Sequence, residues 1–268
     1  MTRLTAAPAK IAVVGYGSIG RTVVERLLLG AVPDARLVAI VDQDPITNPP
    51  VPQVDLDEAV AASDVIVECA GQSVVVDHGE AILEAGRDLL ISSAGALTDP
   101  DFAQRLRKTG PGRVLCTTGA IGGLDLLAAA SDAAAFDTVT VRTTKKPAAL
   151  VQPWMDAERA AEITGATLPM LVFEGDATQA ARLFPRSLNV AAAVSFAVQD
   201  AHLVRVELVA DPGADLTRHV ISARGPMGRY EFQIENLPSA DNPRTSGIVP
   251  FAVLRSLSTL LGRPGLIG

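Results

Sequence analysis

The chain has 268 residues, of which 48% are hydrophobic and 20% are charged, and its formal net charge at pH 7 is −7. This length allows one large domain or two modest ones, and the apolar content argues against intrinsic disorder. The acidic charge balance argues against nucleic acid or an anionic membrane surface as a partner. No apolar run reaches the roughly 18–20 residues that a membrane span requires.

The first ten residues lack the hydrophobic region of a secretory signal, so we expect a cytoplasmic protein. The two cysteines, Cys69 and Cys116, have no metal-ligand spacing and stand at the ends of apolar runs. We expect both to be small buried side chains in a reducing compartment, and we expect no metal site.

The segment at residues 10–20 reads Lys-Ile-Ala-Val-Val-Gly-Tyr-Gly-Ser-Ile-Gly, and a helical pattern follows it. It predicts a buried strand that leads into three glycines. Glycines at this spacing permit a tight turn, the close approach of the backbone to a pyrophosphate, and close helix packing, while the helix N-terminus attracts the anion. The pattern therefore predicts a dinucleotide site. The predicted cofactor-binding residues here are Gly15, Gly17, Ser18, Ile19 and Gly20.

A second predicted strand, Leu37–Asp42, ends in a carboxylate about where the ribose hydroxyls of a dinucleotide are bound. If Asp42 accepts hydrogen bonds from these hydroxyls, its charge repels a 2′-phosphate. No arginine follows it directly. We therefore expect NAD as the cofactor, with NADP as the alternative. A solvated acid at the strand end is the other interpretation of Asp42.

Short apolar runs alternate with helical patterns up to about residue 120, which predicts a parallel sheet covered on both faces. The predicted strands are 10–15, 37–42, 64–69, 88–93 and 112–117. Beyond that point, period-2 alternation at 138–144, 203–209, 219–224 and 229–235 predicts an antiparallel sheet. Residues 225–228 are a predicted hairpin turn, and a final helix is predicted at about 246–262.

These patterns predict an α/β protein: a Rossmann-type doubly wound parallel sheet with an inserted α+β domain that has a mostly antiparallel sheet. The predicted domains are a dinucleotide-binding domain at 1–125 and a substrate or dimerisation domain at 126–243. Residues 244–268 are predicted to return to the first domain as a C-terminal helix.

Several further segments, in this order, resemble the L-aspartate dehydrogenase family, whose nucleotide domain is related to that of homoserine dehydrogenase. They are Glu68-Cys-Ala-Gly-Gln, Ser92-Ser-Ala-Gly-Ala-Leu-Thr-Asp99, Thr118-Gly-Ala-Ile-Gly-Gly-Leu-Asp125, Phe173-Glu-Gly-Asp-Ala, Phe184-Pro-Arg-Ser-Leu-Asn-Val-Ala-Ala-Ala193, the region of His219, and Asp241-Asn-Pro-Arg-Thr-Ser246.

The resemblance implies oxidation of L-aspartate to iminosuccinate, which hydrolyses to oxaloacetate and ammonia, with NAD or NADP as cofactor, in a homodimer. It assigns His219 as the catalytic residue and Ala120 and Asn189 as cofactor-binding residues. Ala70 and Gly71, in the first of the matching segments, are further predicted cofactor contacts. The direction of the reaction stays open between aspartate breakdown, aspartate synthesis and iminosuccinate supply for pyridine nucleotide biosynthesis.

The chain departs from the family pattern at three places. Leu216-Thr-Arg-His219 replaces a common Asn-x-His approach, Thr117-Thr118 replaces a proline-serine type start, and Lys145-Lys146-Pro147 replaces a common arginine-lysine-proline pattern. These differences bear on substrate preference more than on reaction class.

An imidazole with a pKa near 6.5 moves protons at neutral pH, which suits His219 for catalysis. His78, in a helical stretch, and His202, at a strand start, are predicted to be structural. A dicarboxylate substrate needs cationic or hydroxyl partners. The candidates are Lys145, Lys146, Arg244, Thr245 and Ser246. Their other interpretation is a solvated pair of charges and, for Thr245 or Ser246, the N-cap of the last helix.

Glu174 and Asp176 are predicted to belong to a strand-to-helix turn, with Asp176 as the helix N-cap, rather than to a metal site. Two other functions stay open. One is a related Rossmann oxidoreductase, of the homoserine dehydrogenase or dihydrodipicolinate reductase kind, that acts on another small carboxylated substrate. The other is a catalytically silent NAD(H)-binding regulatory protein, which would need neither His219 nor the segment at 242–246.

Overall fold

The computed structural model describes residues 7–184 and 189–262. In these residues the strands are β1 Ala9–Val14, β2 Ala35–Val41, β3 Val65–Glu68, β4 Asp88–Ile91, β5 Val114–Cys116, β6 Thr138–Lys145, β7 Met170–Asp176, β8 Val204–Ala210, β9 Thr217–Gly225 and β10 Gly228–Asn236. The helices are α1 Ser18–Leu28, α2 Leu56–Ala62, α3 Gln72–Glu84, α4 Pro100–Lys108, α5 Leu124–Ala133, α6 Pro147–Leu150, α7 Ala157–Thr164, α8 Ala177–Leu183, α9 Asn189–Val198 and α10 Val249–Leu260. A 3-10 helix spans Ala94–Thr98.

The first sheet has the strand order β2-β1-β3-β4-β5, and each neighbouring pair is parallel. This confirms the predicted Rossmann-type sheet. In parallel strands that are buried on both faces, nearly every side chain is apolar, which is why the sequence reads as continuous apolar runs. Ile11 and Val13 of β1 share one core with Val23 and Val24 of α1. Residues Val253 and Leu257 of α10 belong to the same core.

The second sheet has the order β10-β9-β6-β8-β7. Its pairs are antiparallel except β6 with β8, which is parallel. The prediction of a mostly antiparallel second sheet is therefore confirmed. Side chains on one face of this sheet are buried with α5, α8 and α9 in a second core. The hairpin between β9 and β10 turns at residues 226 and 227, as the glycines on either side predict.

By their contacts, the residues form two compact units. Of the described residues, unit 1 comprises 7–93, 104–117 and 250–262, and unit 2 comprises 94–103, 118–184 and 189–249. The domain limits expected from the sequence, at 125/126 and 243/244, stay predictions. Within the described part of the chain, no helix has both the length and the apolar character that crossing a bilayer requires.

Asp176 caps α8 as predicted, because its carboxylate accepts a 2.7 Å hydrogen bond from the Gln179 N–H. The interpretation of Thr245 or Ser246 as the N-cap of the last helix is wrong, because α10 begins only at Val249. The Ser246 carbonyl accepts a hydrogen bond from the Val249 N–H, so residues 246–249 form a turn that leads into the helix.

Candidate active site

The glycine turn after β1 is held by close backbone contacts. Gly15 has a φ of +95°, and a Cβ there would lie 2.6 Å from the Ala70 nitrogen. A Cβ on Gly20 would lie 1.8 Å from the Gly15 carbonyl oxygen, so only glycine lets α1 approach the strand this closely. A Cβ on Gly17, in contrast, would meet no protein atom within 4 Å. Two glycines are thus needed by the fold, and the third leaves an open approach to its backbone.

This turn fits the pyrophosphate of a dinucleotide. Gly17 is the N-cap residue of α1 and has no side chain to occupy the helix N-terminus. The first turn of α1, which includes Ser18 and Ile19, carries no acidic residue that would repel an anion. Backbone N–H groups and the positive end of the helix dipole therefore face a space that a phosphate can approach.

Alanine substitutions at Gly17 and Gly20 should separate binding from folding. Gly20→Ala should lower the free energy of unfolding by about 3 kcal/mol or more, because its methyl group overlaps the Gly15 carbonyl. Gly17→Ala should keep wild-type stability but weaken NADH binding by about ten-fold or more, since the methyl group enters the approach to the backbone. Urea unfolding and NADH fluorescence titration measure the two effects. Unchanged NADH affinity in folded Gly17→Ala would contradict the assignment.

Asp42 lies one residue beyond β2 and is tied to the glycine turn. Its carboxylate accepts hydrogen bonds from the N–H of Tyr16, at 2.5 Å, and from the N–H of Asp44, at 3.0 Å. Tyr16 stands between Gly15 and Gly17. The acid is therefore held at the carboxyl end of the sheet, beside the turn, which is where ribose hydroxyls are bound in dinucleotide folds.

Glu68, the last residue of β3, is a buried carboxylate that accepts five hydrogen bonds. Its Oε1 accepts from the N–H groups of Ala70 and Gly71, both at 2.8 Å, and from the Ser93 hydroxyl at 2.8 Å. Its Oε2 accepts from the N–H groups of Ser92, at 3.1 Å, and Ser93, at 2.9 Å. Glu68 thereby joins the segments that follow β3 and β4.

Burial raises the pKa of Glu68, and the hydrogen bonds from Ser93, Gly71 and Ala70 oppose that rise. The predicted cofactor contacts Ala70 and Gly71 therefore already direct their N–H groups at this carboxylate. No role for Glu68 was predicted from the sequence. The available signal was the one used for Asp42, an acid at the end of a buried strand.

Both cysteines are free. Burial raises the pKa of the Cys116 thiol to about 12, with Glu68 adding to the effect, and the pKa of Cys69 is raised for the same two reasons. A thiol with so high a pKa stays protonated at neutral pH and is a poor nucleophile. Both side chains are half-buried by surface area, so the prediction of small buried side chains is confirmed only in part.

The buried face of the second sheet changes from apolar to polar along its strands. On β6 the buried positions are Val139 and Val141, then Thr143 and Lys145. On β9, which is antiparallel to it, Thr217 and His219 precede Ile221 and Ala223. The register pairs Thr143 with His219. Polar side chains of two adjacent strands are thus gathered at one end of an otherwise apolar face.

His219 is 2% exposed, and its Nδ1 lies 2.9 Å from the Thr143 hydroxyl oxygen. Its Nε2 makes no hydrogen bond with any residue in 7–184 or 189–262. Thr143 therefore orients the ring by one nitrogen and leaves the other for a different partner. The other histidines are outside this arrangement: His78 is exposed on α3, and His202 lies at the surface, 3.3 Å from Asp176.

The expectation that His219 titrates near neutral pH is wrong for the folded chain. Burial, together with the smaller effect of the charge of Lys145, lowers its pKa to about 3. The ring is therefore neutral at physiological pH.

The lowered pKa of His219 should be visible in the free energy of unfolding measured at acidic pH. Between pH 6.5 and about 3 the imidazole of the unfolded chain binds a proton that the imidazole of the folded chain does not. The free energy of unfolding therefore decreases as the pH is lowered through this range. The shift corresponds to a loss on the order of 4 kcal/mol across that window. Urea unfolding at several pH values should show a shallower decline for His219→Gln than for wild type. Parallel curves would contradict the burial of a neutral ring.

The five substrate candidates lie in different settings. Lys145 is 4% exposed, and its Nζ donates a 2.8 Å hydrogen bond to the Arg244 carbonyl. Lys146 is exposed, with its Nζ 3.8 Å from Asp215. Ser246 is buried, whereas Arg244 and Thr245 are half-buried. The structure thus brings Lys145 to the backbone of Arg244, and the ion-pair partner of Lys146 is instead Asp215.

Ala120 and Asn189 both take part in hydrogen bonds within unit 2. The Ala120 carbonyl accepts from the Asn236 side chain at 2.8 Å, and Asn189 Oδ1 accepts from the Gly95 N–H at 3.1 Å. Residues 185–188 of the Phe184–Ala193 motif lie outside the described residues. Cofactor binding by Ala120 and Asn189 stays a prediction.

The acids of the 173–176 motif have structural partners. Asp176 caps α8, and Glu174 forms a 2.7 Å ion pair with Arg205. Among the residues with described positions, no group of three or more His, Cys, Asp or Glu side chains could hold a metal ion.

Comparisons with known proteins cover both units. Residues 125–260 match a family model described as aspartate dehydrogenase, C-terminal, and residues 15–111 match one described as homoserine dehydrogenase, NAD binding domain. The chain is 36% identical over 262 residues to an L-aspartate dehydrogenase of Ralstonia pickettii. The aligned region covers 92% of this chain and 96% of that protein. The chain belongs to the aspartate dehydrogenase family.

Other relatives agree with this membership, so the resemblance inferred from the motifs is confirmed. L-aspartate dehydrogenase 3 of Bordetella bronchiseptica is 35% identical, over 92% of this chain and 93% of that protein. The crystal structure of an aspartate dehydrogenase from Thermotoga maritima matches with a TM-score of 0.74 and 28% identity, over 97% of this chain and 98% of that one. A dihydrodipicolinate reductase from Paenisporosarcina, at 16% identity and a TM-score of 0.53 over 95% of both chains, shares the fold alone.

Proposed function

We propose that this member of the aspartate dehydrogenase family catalyses the nicotinamide-dependent oxidative deamination of L-aspartate to iminosuccinate, and the reverse reductive amination. The observation that carries the proposal is the similarity to L-aspartate dehydrogenases over nearly the whole chain. The buried His219 within the matched C-terminal family region supports it.

A bound nicotinamide supplies the hydride chemistry, and the residues that would hold the cofactor are those of the glycine turn together with Asp42. The protein has to bind the dicarboxylate, orient it and move protons. The tautomer of His219 that donates from Nδ1 to Thr143 keeps the lone pair on Nε2. That nitrogen can accept a proton from the water that attacks the imine. A dianionic substrate raises the basicity of the ring, because it offsets the positive charge of Lys145.

NAD is the proposed cofactor, and Asp42 is the residue on which the preference depends. Asp42→Ala should shift the ratio of kcat/KM values toward NADP by about ten-fold or more, because it removes a charge that repels a 2′-phosphate. Arg21, whose guanidinium lies 5.9 Å from the centre of the Tyr16 ring, then remains as the nearby cation. Steady-state kinetics with both cofactors checks this, and an unchanged ratio would remove Asp42 from cofactor selection.

A homodimer, a cytoplasmic location and a role in pyridine nucleotide biosynthesis are part of the same proposal. The family resemblance supports the first and third, and the two free cysteines are consistent with the second. Light scattering coupled to gel filtration tests the oligomeric state.

The activity is tested by NADH oxidation with oxaloacetate and ammonium, beside a panel of other 2-oxo acids, and by NAD reduction with L-aspartate and L-homoserine. We expect turnover with oxaloacetate plus ammonium to exceed that with every other acid. Turnover confined to L-homoserine or to another carboxylated substrate would favour a related oxidoreductase. NADH binding without any turnover would favour a regulatory protein.

A further inference from the structure

Lys145 is a buried cation at the polar end of the second sheet. It is the last residue of β6 and lies on the same face as Thr143, whose hydroxyl contacts His219. Its side chain is almost wholly removed from solvent. An ammonium group has three N–H donors, and within residues 7–184 and 189–262 one of them is used, toward the Arg244 carbonyl at 2.8 Å.

In the described ranges 7–184 and 189–262, no aspartate or glutamate forms an ion pair with Lys145, whereas its neighbour Lys146 has Asp215 at 3.8 Å. The titratable side chain that shares the polar end is His219, which cannot supply negative charge. The two groups are coupled, since the charge of Lys145 contributes to the low pKa of His219.

A buried charge without a counter-ion is unfavourable, and one carbonyl oxygen does not neutralise it. Burial accordingly lowers the pKa of Lys145 to about 8. Natural proteins keep such unfavourable groups mainly at functional sites, where a ligand supplies the missing partner.

We propose that Lys145 is the anion anchor of this site and binds a carboxylate of the substrate through its unused donors. The identity of the ligand as a dicarboxylic amino acid rests on the proposed function, whereas the need for an anion rests on the burial and the missing counter-ion. The competing interpretation is structural, in which Lys145 only holds the 244–246 backbone through the Arg244 carbonyl.

The test compares Lys145→Met, Lys145→Arg and the control Arg142→Met. Arg142 lies on the same strand but is 57% exposed and paired with Glu207. Arg142→Met therefore removes one positive charge, as Lys145→Met does, but at a position outside the polar end. The melting temperature is measured with and without succinate, in the free protein and with saturating NADH. Steady-state kinetics then gives KM for L-aspartate and for NAD.

An anchor predicts four results. Succinate raises the melting temperature of wild type and of Arg142→Met but not that of Lys145→Met. KM for L-aspartate rises by about 30-fold or more in Lys145→Met, while KM for NAD is unchanged. Lys145→Arg, which keeps the charge, recovers part of the loss. Lys145→Met without ligand melts no lower than wild type, because an uncompensated charge has been removed.

Three results would overturn the inference. One is that succinate raises the melting temperature of Lys145→Met as much as that of wild type, or that it does not raise the melting temperature of wild type either with or without NADH. The second is a lower melting temperature of ligand-free Lys145→Met together with an unchanged KM, which indicates the structural role. The third is a fall in kcat alone that arginine does not restore, which indicates proton transfer. A succinate shift that requires Lys145 in a protein inactive with L-aspartate would leave the anchor standing and reject the proposed function.

Discussion

Turnover with L-aspartate should fall by about 10²- to 10⁴-fold in His219→Gln, the range found for loss of a general acid–base group. Glutamine keeps a polar side chain opposite Thr143 but has no nitrogen that can take up a proton at neutral pH. The loss should appear in kcat rather than in binding of NADH, because the glycine turn and Asp42 belong to unit 1 and His219 to unit 2. Stopped-flow kinetics and NADH fluorescence titration measure the two quantities.

His202→Gln is the matched control. It removes a histidine of the same unit whose side chain is 74% exposed, so turnover should stay at the wild-type value. Two outcomes contradict a catalytic His219. In one, both variants keep wild-type turnover. In the other, His219→Gln loses NADH affinity and turnover together, which indicates a collapse of the fold.

The first sheet could be predicted from the sequence because its signals are local. An apolar run, three glycines and an acid in order specify a strand, a turn and the end of the next strand, and β1 and β2 lie within two residues of the predicted limits. The predicted helix follows as α1, which begins at Ser18, inside the glycine motif. Helix α2 was missed although its capping box was readable, with Asp55 accepting from the Glu58 N–H and Glu58 accepting in return. That segment is only seven residues long, so its periodicity is weak.

The polar end of the second sheet could not be predicted in the same way. It exists because β6 pairs with β9 on one side and with β8 on the other, and these partners are far away in the chain. The alternation along β6 shows that Thr143 and Lys145 share a face. It does not show which strand lies beside them, and hence not that Thr143 meets His219. The low pKa of His219 results from the burial of its ring, which the sequence does not show. From the sequence alone, a ring that titrates near neutral pH was therefore expected.

The buried carboxylate of Glu68 is the second site where substitution should have a large effect. Glu68→Gln should lower the free energy of unfolding by about 3 kcal/mol and weaken NADH binding, because an amide has one acceptor oxygen and leaves several of the five donors unsatisfied. The donors include the N–H groups of Ala70 and Gly71, so the segment after β3 loses its anchor. Urea unfolding and NADH titration measure both effects.

Two controls separate the charge from the hydrogen bonds. Ser93→Ala removes one donor but keeps the backbone N–H groups, and should cost about 1 kcal/mol. Glu80→Gln removes a partly exposed acid of α3, paired with Arg105 at 3.2 Å, and should change stability by less than about 1 kcal/mol. Burial raises the pKa of Glu68 because it removes the charged carboxylate from water. This desolvation is unfavourable and opposes the stabilisation that the five hydrogen bonds provide. If Glu68→Gln is as stable as wild type, that desolvation outweighs the hydrogen bonds, and Glu68 does not hold the two segments together.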